Sequence, residues 1–179
     1  MDQRTELNNN EPILFQGRIF QVVERRQVGR SGAILSRQVV KHPGATCIVP
    51  LLPDGRVLLI EQYRISFQKK IFELPAGTLE KGEEPITTAQ RELIEETGYR
   101  AGRLELLTSI YTSPGILQEE LFLYLASDLE KGVSSPEDGE DISLVPKTWS
   151  EIDAMIEKKE IVDAKTLVGL LLTKNKFKL

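Results

Sequence analysis

The sequence is poor in the residue types that cross-link a chain or bind structural zinc. Cys47 is the only cysteine and His42 the only histidine among 179 residues. A single cysteine excludes an internal disulfide framework and a multi-cysteine zinc ribbon, and it favours a reducing compartment. His42 stands beside Pro43, and we interpret it as structural rather than as a ligand.

Long apolar runs and an excess of positive charge are also missing. No apolar run reaches the roughly 20 residues that a membrane-spanning helix needs, and the polar residues 1–12 do not form a signal peptide. The formal net charge is -4, whereas nonspecific binding to nucleic acid or anionic membranes needs a clustered basic surface. We therefore expect a cytoplasmic protein with no nucleic-acid or membrane partner.

The composition is that of an ordinary globular domain, with 40% hydrophobic and 28% charged residues. Irregular alternation of apolar and polar residues predicts short strands within residues 13–28 and 33–40, which would form a small N-terminal sheet. Apolar runs at residues 45–52 and 57–61 flank a Pro-Asp-Gly turn signal and predict a β-hairpin. Further strands are expected at residues 70–74, 103–111 and 120–126, before an acidic loop at residues 127–141.

A helix is predicted at residues 85–97. Pro85 suits the first turn, Glu83 and Glu84 complement the positive end of the helix dipole, and Gly98 suits the left-handed position after the end. Ile86, Ala89 and Leu93 recur at helical spacing, so they predict an apolar stripe that packs on a sheet.

Two more helices are predicted near the C-terminus. Thr148 with Glu151 forms a capping-box pattern at the start of one, and Asp163 begins the other, which extends through Leu172.

The predicted central helix concentrates acids on one face. Glu92 and Glu96 are four residues apart and Glu95 lies one turn from Glu92, so each like-charged pair costs about 0.2–0.5 kcal/mol unless a cation neutralises it. Clustered carboxylates are hard ligands suited to Mg²⁺ or Mn²⁺. A solvated helix face is the alternative interpretation of the helix alone.

The spacing around this helix decides between the two interpretations. The chain resembles the Nudix hydrolases, whose box has the form G-x5-E-x7-R-E-U-x-E-E-x-G-U, with U apolar or aromatic. Every defined position is matched, by Gly77, Glu83, Arg91, Glu92, Leu93, Glu95, Glu96, Gly98 and Tyr99.

The resemblance implies a mixed α/β fold, an α/β/α sandwich around a mixed sheet. It places a small N-terminal β-sheet extension at residues 1–40 and the hydrolase domain at residues 41–179. It further implies Mg²⁺, or alternatively Mn²⁺, as the cofactor. The implied metal ligands are Glu92, Glu96, the Ala76 carbonyl and Glu140, with Glu95 and Arg91 in supporting catalytic roles.

Motifs outside the box resemble the ADP-ribose pyrophosphatase branch of the family. They are Glu61-Gln62-Tyr63-Arg64, Glu73-Leu74-Pro75-Ala76-Gly77 and Ser113-Pro114-Gly115. The implied substrate is a nucleoside diphosphate derivative, with ADP-ribose cleaved to AMP and ribose 5-phosphate. Alternatives are a nucleotide sugar such as GDP-mannose and a sensor that binds ADP-ribose without cutting it. NADH is disfavoured because relatives dedicated to it carry a four-cysteine zinc module.

The resemblance also names substrate-binding residues. Guanidinium groups hold diphosphate oxygens bidentately, and aromatic rings stack on a base. The candidates are Arg37, Arg64, Glu73, Pro114, Gly115, Glu119 and Phe20. For Arg37 a surface role, for Phe20 a core role and for Ser113-Pro114-Gly115 a plain turn are the alternatives.

The general base is expected in the acidic loop, because relatives place two carboxylates two residues apart over the site. Glu140 matches the metal-contacting member of that pair. Asp138 stands where a base is often Glu, so its shorter side chain leaves Glu137 as the alternative base. The family resemblance and the small N-terminal sheet also predict a homodimer in which partner residues, Phe20 or Arg37, complete each site.

Overall fold

A computed structural model describes residues 11–134 and 141–178 of the chain. These residues form eleven strands and three helices, in the order β1 (Ile13–Gln16), β2 (Gln21–Val28), β3 (Ile34–Lys41), β4 (Ala45–Pro50), β5 (Val57–Arg64), β6 (Lys69–Glu73), β7 (Ala76–Thr78), α1 (Pro85–Thr97), β8 (Tyr99–Ile110), β9 (Leu117–Gln118), β10 (Leu121–Lys131), β11 (Ile142–Lys147), α2 (Trp149–Glu157) and α3 (Ala164–Phe177). In this part of the chain, no helix is long and apolar enough to span a bilayer.

The first of two compact units contains Met1–Pro43 and Tyr111–Glu120. Its sheet has the strand order β1-β2-β3-β9, in which β1, β2 and β3 are antiparallel neighbours and β9 runs parallel to β3. The strands that alternation predicted within residues 13–28 and 33–40 are therefore confirmed.

The second unit contains Gly44–Ile110 and Leu121–Leu179. One of its sheets has the order β7-β4-β10-β8, with β4 and β10 parallel and the other neighbours antiparallel. The other sheet is antiparallel, in the order β11-β5-β6. The sheet composition is therefore mixed, as expected.

Strand β4 shows how the second unit is layered. Its side chains alternate between two faces, and all six residues are buried. Cys47 and Val49 pack in one core with Leu170 of α3, whereas Ile48 packs in another core with Leu93 of α1. Helices therefore cover both faces of the sheet, and the predicted α/β/α sandwich is confirmed.

The predicted hairpin between β4 and β5 is wrong beyond its turn. The turn forms, since Leu52 N donates to Arg56 O at 2.8 Å. Only a single bridge, Leu51 with Val57, joins the two segments, because β4 and β5 belong to different sheets. A turn motif sets the chain reversal but not the partner of each strand.

The loop expected at residues 127–141 is wrong for its first part. Strand β10 continues to Lys131, and β8 begins at Tyr99 rather than at Arg103, because Lys131 pairs with Tyr99 and Leu129 with Ala101. Leu129 is buried. Long-range pairing therefore holds a polar segment in a strand that its composition did not predict.

Helix α1 has the predicted bounds. Pro85 occupies the first turn, and Gly98 adopts φ 74°, a left-handed conformation that glycine favours. One detail differs: Ile86 is exposed, so Ala89 and Leu93 rather than Ile86 contribute to the buried face.

The C-terminal helices are confirmed at their starts. Thr148 and Glu151 form the reciprocal capping box of α2, and the Asp163 side chain accepts from Thr166 N to cap α3. Helix α3 extends to Phe177, beyond the predicted end at Leu172.

Candidate functional site

The acidic face of α1 lies against the backbone of β7. At Gly77 a β-carbon would overlap the carboxylate of Glu92. Glycine is therefore required for close approach rather than for backbone conformation. This contact places Glu92 on the sheet side of the helix.

Glu96 reaches the same short strand one turn later. Its Oε2 accepts a hydrogen bond from Ala76 N at 3.0 Å, and the residue is only 4% exposed. Because Glu92 and Glu96 are four residues apart on α1, their carboxylates contact two consecutive residues of β7. Ala76, whose carbonyl was expected in the metal shell, is one of them.

Arg91 joins three acids of the box. Its Nη1 donates to Glu92 Oε1 at 2.7 Å and to Glu95 Oε2 at 3.0 Å. Its Nε and Nη2 donate to the two oxygens of Glu83 at 3.2 and 3.1 Å. The Nη2 also donates to the carbonyl of Thr78 at 3.3 Å. Arg91 therefore ties the helix to the preceding loop and to β7.

The electrostatics of Glu83 follow from these contacts. The hydrogen bond from Arg91 is the main cause that lowers the pKa of Glu83 to about 2, and a hydrogen bond from Thr88 adds to it. The same bond raises the pKa of Arg91. Glu83 thus holds Arg91 in place.

The donor set fits a divalent cation. Glu83, Glu92 and Glu95 contact one arginine and Glu96 follows on the same helix, so these five residues have a formal net charge of about −3. Hard carboxylate oxygens held on a rigid helix are the ligands that Mg²⁺ prefers. Residues 11–134 and 141–178 by themselves contain no group of three or more acid, histidine or cysteine side chains arranged for a metal ion. Glu140, the further predicted ligand, lies outside them.

A second ion-pair cluster surrounds Glu73 at the end of β6. The side chain of Glu73 is 1% exposed. Arg64 on β5 donates to it bidentately, Nε to Oε1 at 2.5 Å and Nη2 to Oε2 at 2.8 Å. Lys165 of α3 donates to Oε2 as well. Arg64 and Glu73, both predicted to bind substrate, are therefore partners of each other.

The same cluster fastens α3 to the segment before β7. Lys165 Nζ also donates to Asp163 Oδ2 at 3.0 Å, and Thr166 Oγ1 donates to the same oxygen at 2.6 Å. Thr166 Oγ1 in turn accepts from Leu74 N at 2.8 Å. The backbone leading into Ala76 and Gly77 is thus anchored to the helix.

In this cluster, burial and neighbouring charges shift the pKa values of Glu73 and Lys165 in opposite directions. Burial raises the pKa of Glu73, but the hydrogen bond from Arg64 and the charge of Lys165 outweigh it, so that the pKa is lowered. Burial lowers the pKa of Lys165, and the charges of Glu73 and Asp163 reverse this to a net increase. Both groups are therefore held in their charged forms.

The other predicted substrate residues belong to the first unit. Arg37 is exposed on β3 and donates to the carbonyl of Ser36. Phe20 contacts Phe15, with ring centroids 5.9 Å apart. Their roles in substrate binding stay predictions.

The segment around Pro114 and Gly115 forms a turn. The carbonyl of Ser113 accepts from the backbone N of Ile116 and of Leu117, at 3.1 and 2.8 Å. Glu119, the predicted ribose contact, lies 3.1 Å from His42 Nδ1 through its Oε1. His42 thus has a carboxylate partner within its own unit.

The three acids expected to supply the general base, Glu137, Asp138 and Glu140, lie outside the described residues. Asp141, the next residue, forms an ion pair with Lys70 at 2.9 Å.

Sequence reasoning assigned no role to Lys165 or Thr88. Lys165 lies two residues after Asp163 in the first turn of α3, but its partner Glu73 is 92 residues away, so no local spacing could reveal the pairing. Thr88 lies at a helical position five residues after Glu83, and its hydroxyl donates to that acid at 2.8 Å.

Comparison with known proteins agrees with this geometry. The family model described as the NUDIX domain matches residues 40–168. An ADP-ribose pyrophosphatase of Bacillus subtilis (strain 168) is 37% identical over 159 residues, which cover 88% of this chain and 86% of the relative. A methanol dehydrogenase activator of Bacillus methanolicus has the same identity and coverage.

A solved structure supports the fold. The crystal structure of an ADP compounds hydrolase superposes with a TM-score of 0.82, at 21% sequence identity, and covers 95% of this chain and 92% of its own. At that identity the likeness supports the shared architecture and not the substrate.

Proposed function

The chain belongs to the Nudix family, and from this premise we propose that it hydrolyses the diphosphate bond of ADP-ribose to AMP and ribose 5-phosphate. The observation that carries the proposal is the complete acid box, with Glu92 and Glu96 of α1 brought against Gly77 and Ala76 of β7. The named relative of Bacillus subtilis, 37% identical over most of both chains, supports ADP-ribose as the substrate.

We propose Mg²⁺ as the cofactor, with Mn²⁺ able to replace it. Glu92, Glu96, the carbonyl of Ala76 and Glu140 would hold it. When bound, such an ion neutralises charge on the diphosphate and lowers the pKa of a water that attacks phosphorus. The rigid helix and the close contact at Gly77 support this assignment, because they fix the carboxylates before any ligand arrives.

Arg91 and Glu95 would act by positioning. Arg91 holds Glu92 through a 2.7 Å hydrogen bond, and Glu83 holds Arg91 in turn. Glu95 shares the same nitrogen of Arg91, which keeps it beside the other acids. The arrangement restricts the rotation of the Glu92 side chain, so the conformational entropy of that side chain is lost during folding and not when the substrate binds.

Substrate recognition would use two arginines, one aromatic ring and the turn at Pro114 and Gly115. Arg64 is half-exposed, and Glu73 fixes its orientation, so its guanidinium suits a diphosphate or ribose-phosphate oxygen. In the first unit, Arg37 would bind phosphate oxygens and Phe20 would stack on the adenine. Pro114, Gly115 and Glu119 would contact the ribose of the substrate.

The general base would come from the acidic loop, where Asp138 or Glu137 would take the proton of the attacking water. Glu140 would join the metal shell. A carboxylate near the water is the physical requirement for either assignment.

We further propose a homodimer in the cytoplasm. Exposed apolar side chains on the first unit support the dimer, since Ile13, Phe15 and Ile34 are all more than half exposed. Light scattering tests the proposal, and a monomeric mass at micromolar concentration would contradict it.

A substrate panel tests the activity. We expect ADP-ribose to have a higher kcat/KM than GDP-mannose or NADH with Mg²⁺, and chromatography to identify AMP and ribose 5-phosphate. Both products release phosphate to an added phosphatase, whereas intact ADP-ribose has no terminal phosphate. ADP-ribose with the phosphatase alone is therefore the control.

Two results would contradict the proposal in different ways. A higher kcat/KM for GDP-mannose would change the substrate and keep the chemistry, because the flanking loops and not the box choose the base and the sugar. Binding of ADP-ribose without cleavage, with either Mg²⁺ or Mn²⁺, would identify a sensor instead of an enzyme.

A further inference from the structure

Thr46 of β4 has a buried hydroxyl whose role the fold does not explain. Thr46 is 0% exposed. Its Oγ1 is one of three buried side-chain polar atoms without a hydrogen-bond partner among the described residues, with Gln62 Oε1 and Thr173 Oγ1. Buried polar groups in folded proteins nearly always have a partner, either a protein atom or an ordered water. The hydroxyl of Thr46 therefore points to a partner that the folded chain alone does not supply.

The pleat of β4 determines the direction of this side chain. Cys47 and Val49 face the core shared with α3, and Ile48 faces the core shared with α1. Thr46 is on the same side of the strand as Ile48, because side chains alternate along a strand. Its hydroxyl is consequently on the α1 side of the sheet.

The strand register places Thr46 beside the acid box. Thr46 is paired directly with Gly77 in the antiparallel ladder of β4 and β7. The β-positions of such a pair lie on one face, about 4.5–5.5 Å apart. The β-position of Gly77 is filled by the carboxylate of Glu92. Thr46 and Glu92 are thus neighbours across the surface of the sheet.

We infer that Thr46 is a positioning residue of the acid box, whose hydroxyl donates a hydrogen bond to one water that bridges it to the Glu92 carboxylate. Arg91 holds this carboxylate from the helix side, and Thr46 holds it from the sheet side. The inference rests on the proposed function, in which Glu92 is a ligand of a divalent cation. Groups that orient a ligand carboxylate typically change metal affinity by about 10–100-fold when removed.

The test compares two buried hydroxyls. Thr46→Val removes the hydroxyl and keeps the shape of the side chain, and Thr173→Val does the same at an unpartnered hydroxyl in α3. Calorimetry with Mn²⁺ alone measures the affinity, and thermal unfolding in the absence of metal checks the fold. We expect Thr46→Val to bind Mn²⁺ roughly 10–100-fold more weakly, and Thr173→Val to bind like the wild type.

A conservative variant distinguishes the effect of losing the hydroxyl from the effect of altered packing. Thr46→Ser should restore Mn²⁺ affinity close to that of the wild type, because it retains the donor. If Thr46→Val does not fold, Thr46→Ala compared with Thr46→Ser gives the same contrast. Thr173→Val should unfold at a temperature no lower than the wild type, since it removes an unpartnered polar atom.

Two outcomes overturn the inference, and a third overturns only the proposed function. Unchanged Mn²⁺ affinity in Thr46→Val overturns it, and so does an equal loss of affinity in Thr173→Val. A wild-type protein that binds Mn²⁺ but leaves ADP-ribose intact overturns the proposed function alone, because the affinity comparison uses no nucleotide.

Discussion

Two ion-pair clusters of the second unit are built from the same residue types and differ in charge balance. Around Arg91, three carboxylates share one guanidinium, and the carboxylate of Glu96 follows one helical turn after Glu92. Around Glu73, two acids and two cations neutralise each other, through Arg64, Lys165 and Asp163. The first cluster is left with an excess of negative charge, whereas the second is balanced.

The difference indicates what each cluster does. An unbalanced group of acids repels itself and gains free energy when a cation enters, so it is suited to binding. A balanced, buried group gains little from a further ion, and it is costly to disrupt because any missing partner leaves a buried charge. The acid box therefore has the character of a binding site, and the Glu73 cluster that of a structural anchor.

The largest expected effect is a loss of stability from Glu73→Gln. Removing this carboxylate leaves the largely buried Lys165 and the half-exposed Arg64 without their shared partner, which should lower the free energy of unfolding by about 3–5 kcal/mol. Urea unfolding measures it. Asp153→Asn is the matched control, because the Asp153–Lys174 pair is much more exposed and should cost about 0–1 kcal/mol. Equal losses of unfolding free energy in Glu73→Gln and Asp153→Asn would mean that the Glu73 cluster stabilises the fold no more than an exposed ion pair does.

Next in size is a loss of activity from Glu96→Gln. The amide can still accept from Ala76 N, so the fold should persist, but the charge that attracts a cation is lost. We expect kcat/KM for ADP-ribose to fall by roughly 10²–10³-fold, the range typical for removal of one group that stabilises transition-state charge. Glu157→Gln, at an exposed acid of α2, is the control. An active Glu96→Gln protein would contradict the assignment of the acid box as the metal site.

Gly77→Ala should have a smaller effect on activity. The added methyl group would overlap the Glu92 carboxylate, which must then move. Displacing this ligand should lower activity by about 10–100-fold, with a matching increase in the Mg²⁺ concentration that gives half-maximal rate. Thermal unfolding shows whether the fold is retained. If Gly77→Ala needs the same Mg²⁺ concentration as the wild type for half-maximal rate, then the position of Glu92 does not affect metal binding.

The smallest expected effect is a pH dependence of stability from Glu83. Its pKa is lowered to about 2 from the ordinary 4.5 of a glutamate. A carboxyl with a lowered pKa in the folded state stabilises the protein above its unfolded pKa, and the contribution is lost as pH falls through the folded pKa. The contribution should therefore decrease between pH 4.5 and about pH 2.

Glu83→Gln tests this contribution directly. The variant should be less stable than the wild type at pH 6 and should show a shallower decrease in unfolding free energy on acidification, as measured by urea titration at several pH values. Parallel curves for the two proteins would mean that the Glu83–Arg91 contact contributes nothing in solution.

Local sequence signals predicted some elements well and others poorly. The bounds of α1 were predicted from Pro85 and Gly98, and the capping box of α2 from Thr148, because these signals act within one helical turn. The partner of β5 and the extension of β10 to Lys131 were not predicted, because they depend on strands distant in the sequence.

The candidate site divides in the same way. Helical spacing identified Glu92 and Glu96 as a pair, since residues four apart lie on one face, and the family resemblance added Arg91. The contact of Glu92 with Gly77 and the anchoring of Glu73 by Lys165 were not evident, because β7 and α3 reach these residues only after the chain has folded.

The sequence by itself determined the family, the helix that carries the acids and the excess of negative charge on that helix, because periodicity and composition are local properties. Only the tertiary structure decided that the carboxylates of α1 contact the backbone of β7. It also decided that Lys165 neutralises Glu73 and that Thr46 is paired with Gly77. Those choices depend on strand register and on packing between segments as far apart as 92 residues, and no short-range pattern encodes either.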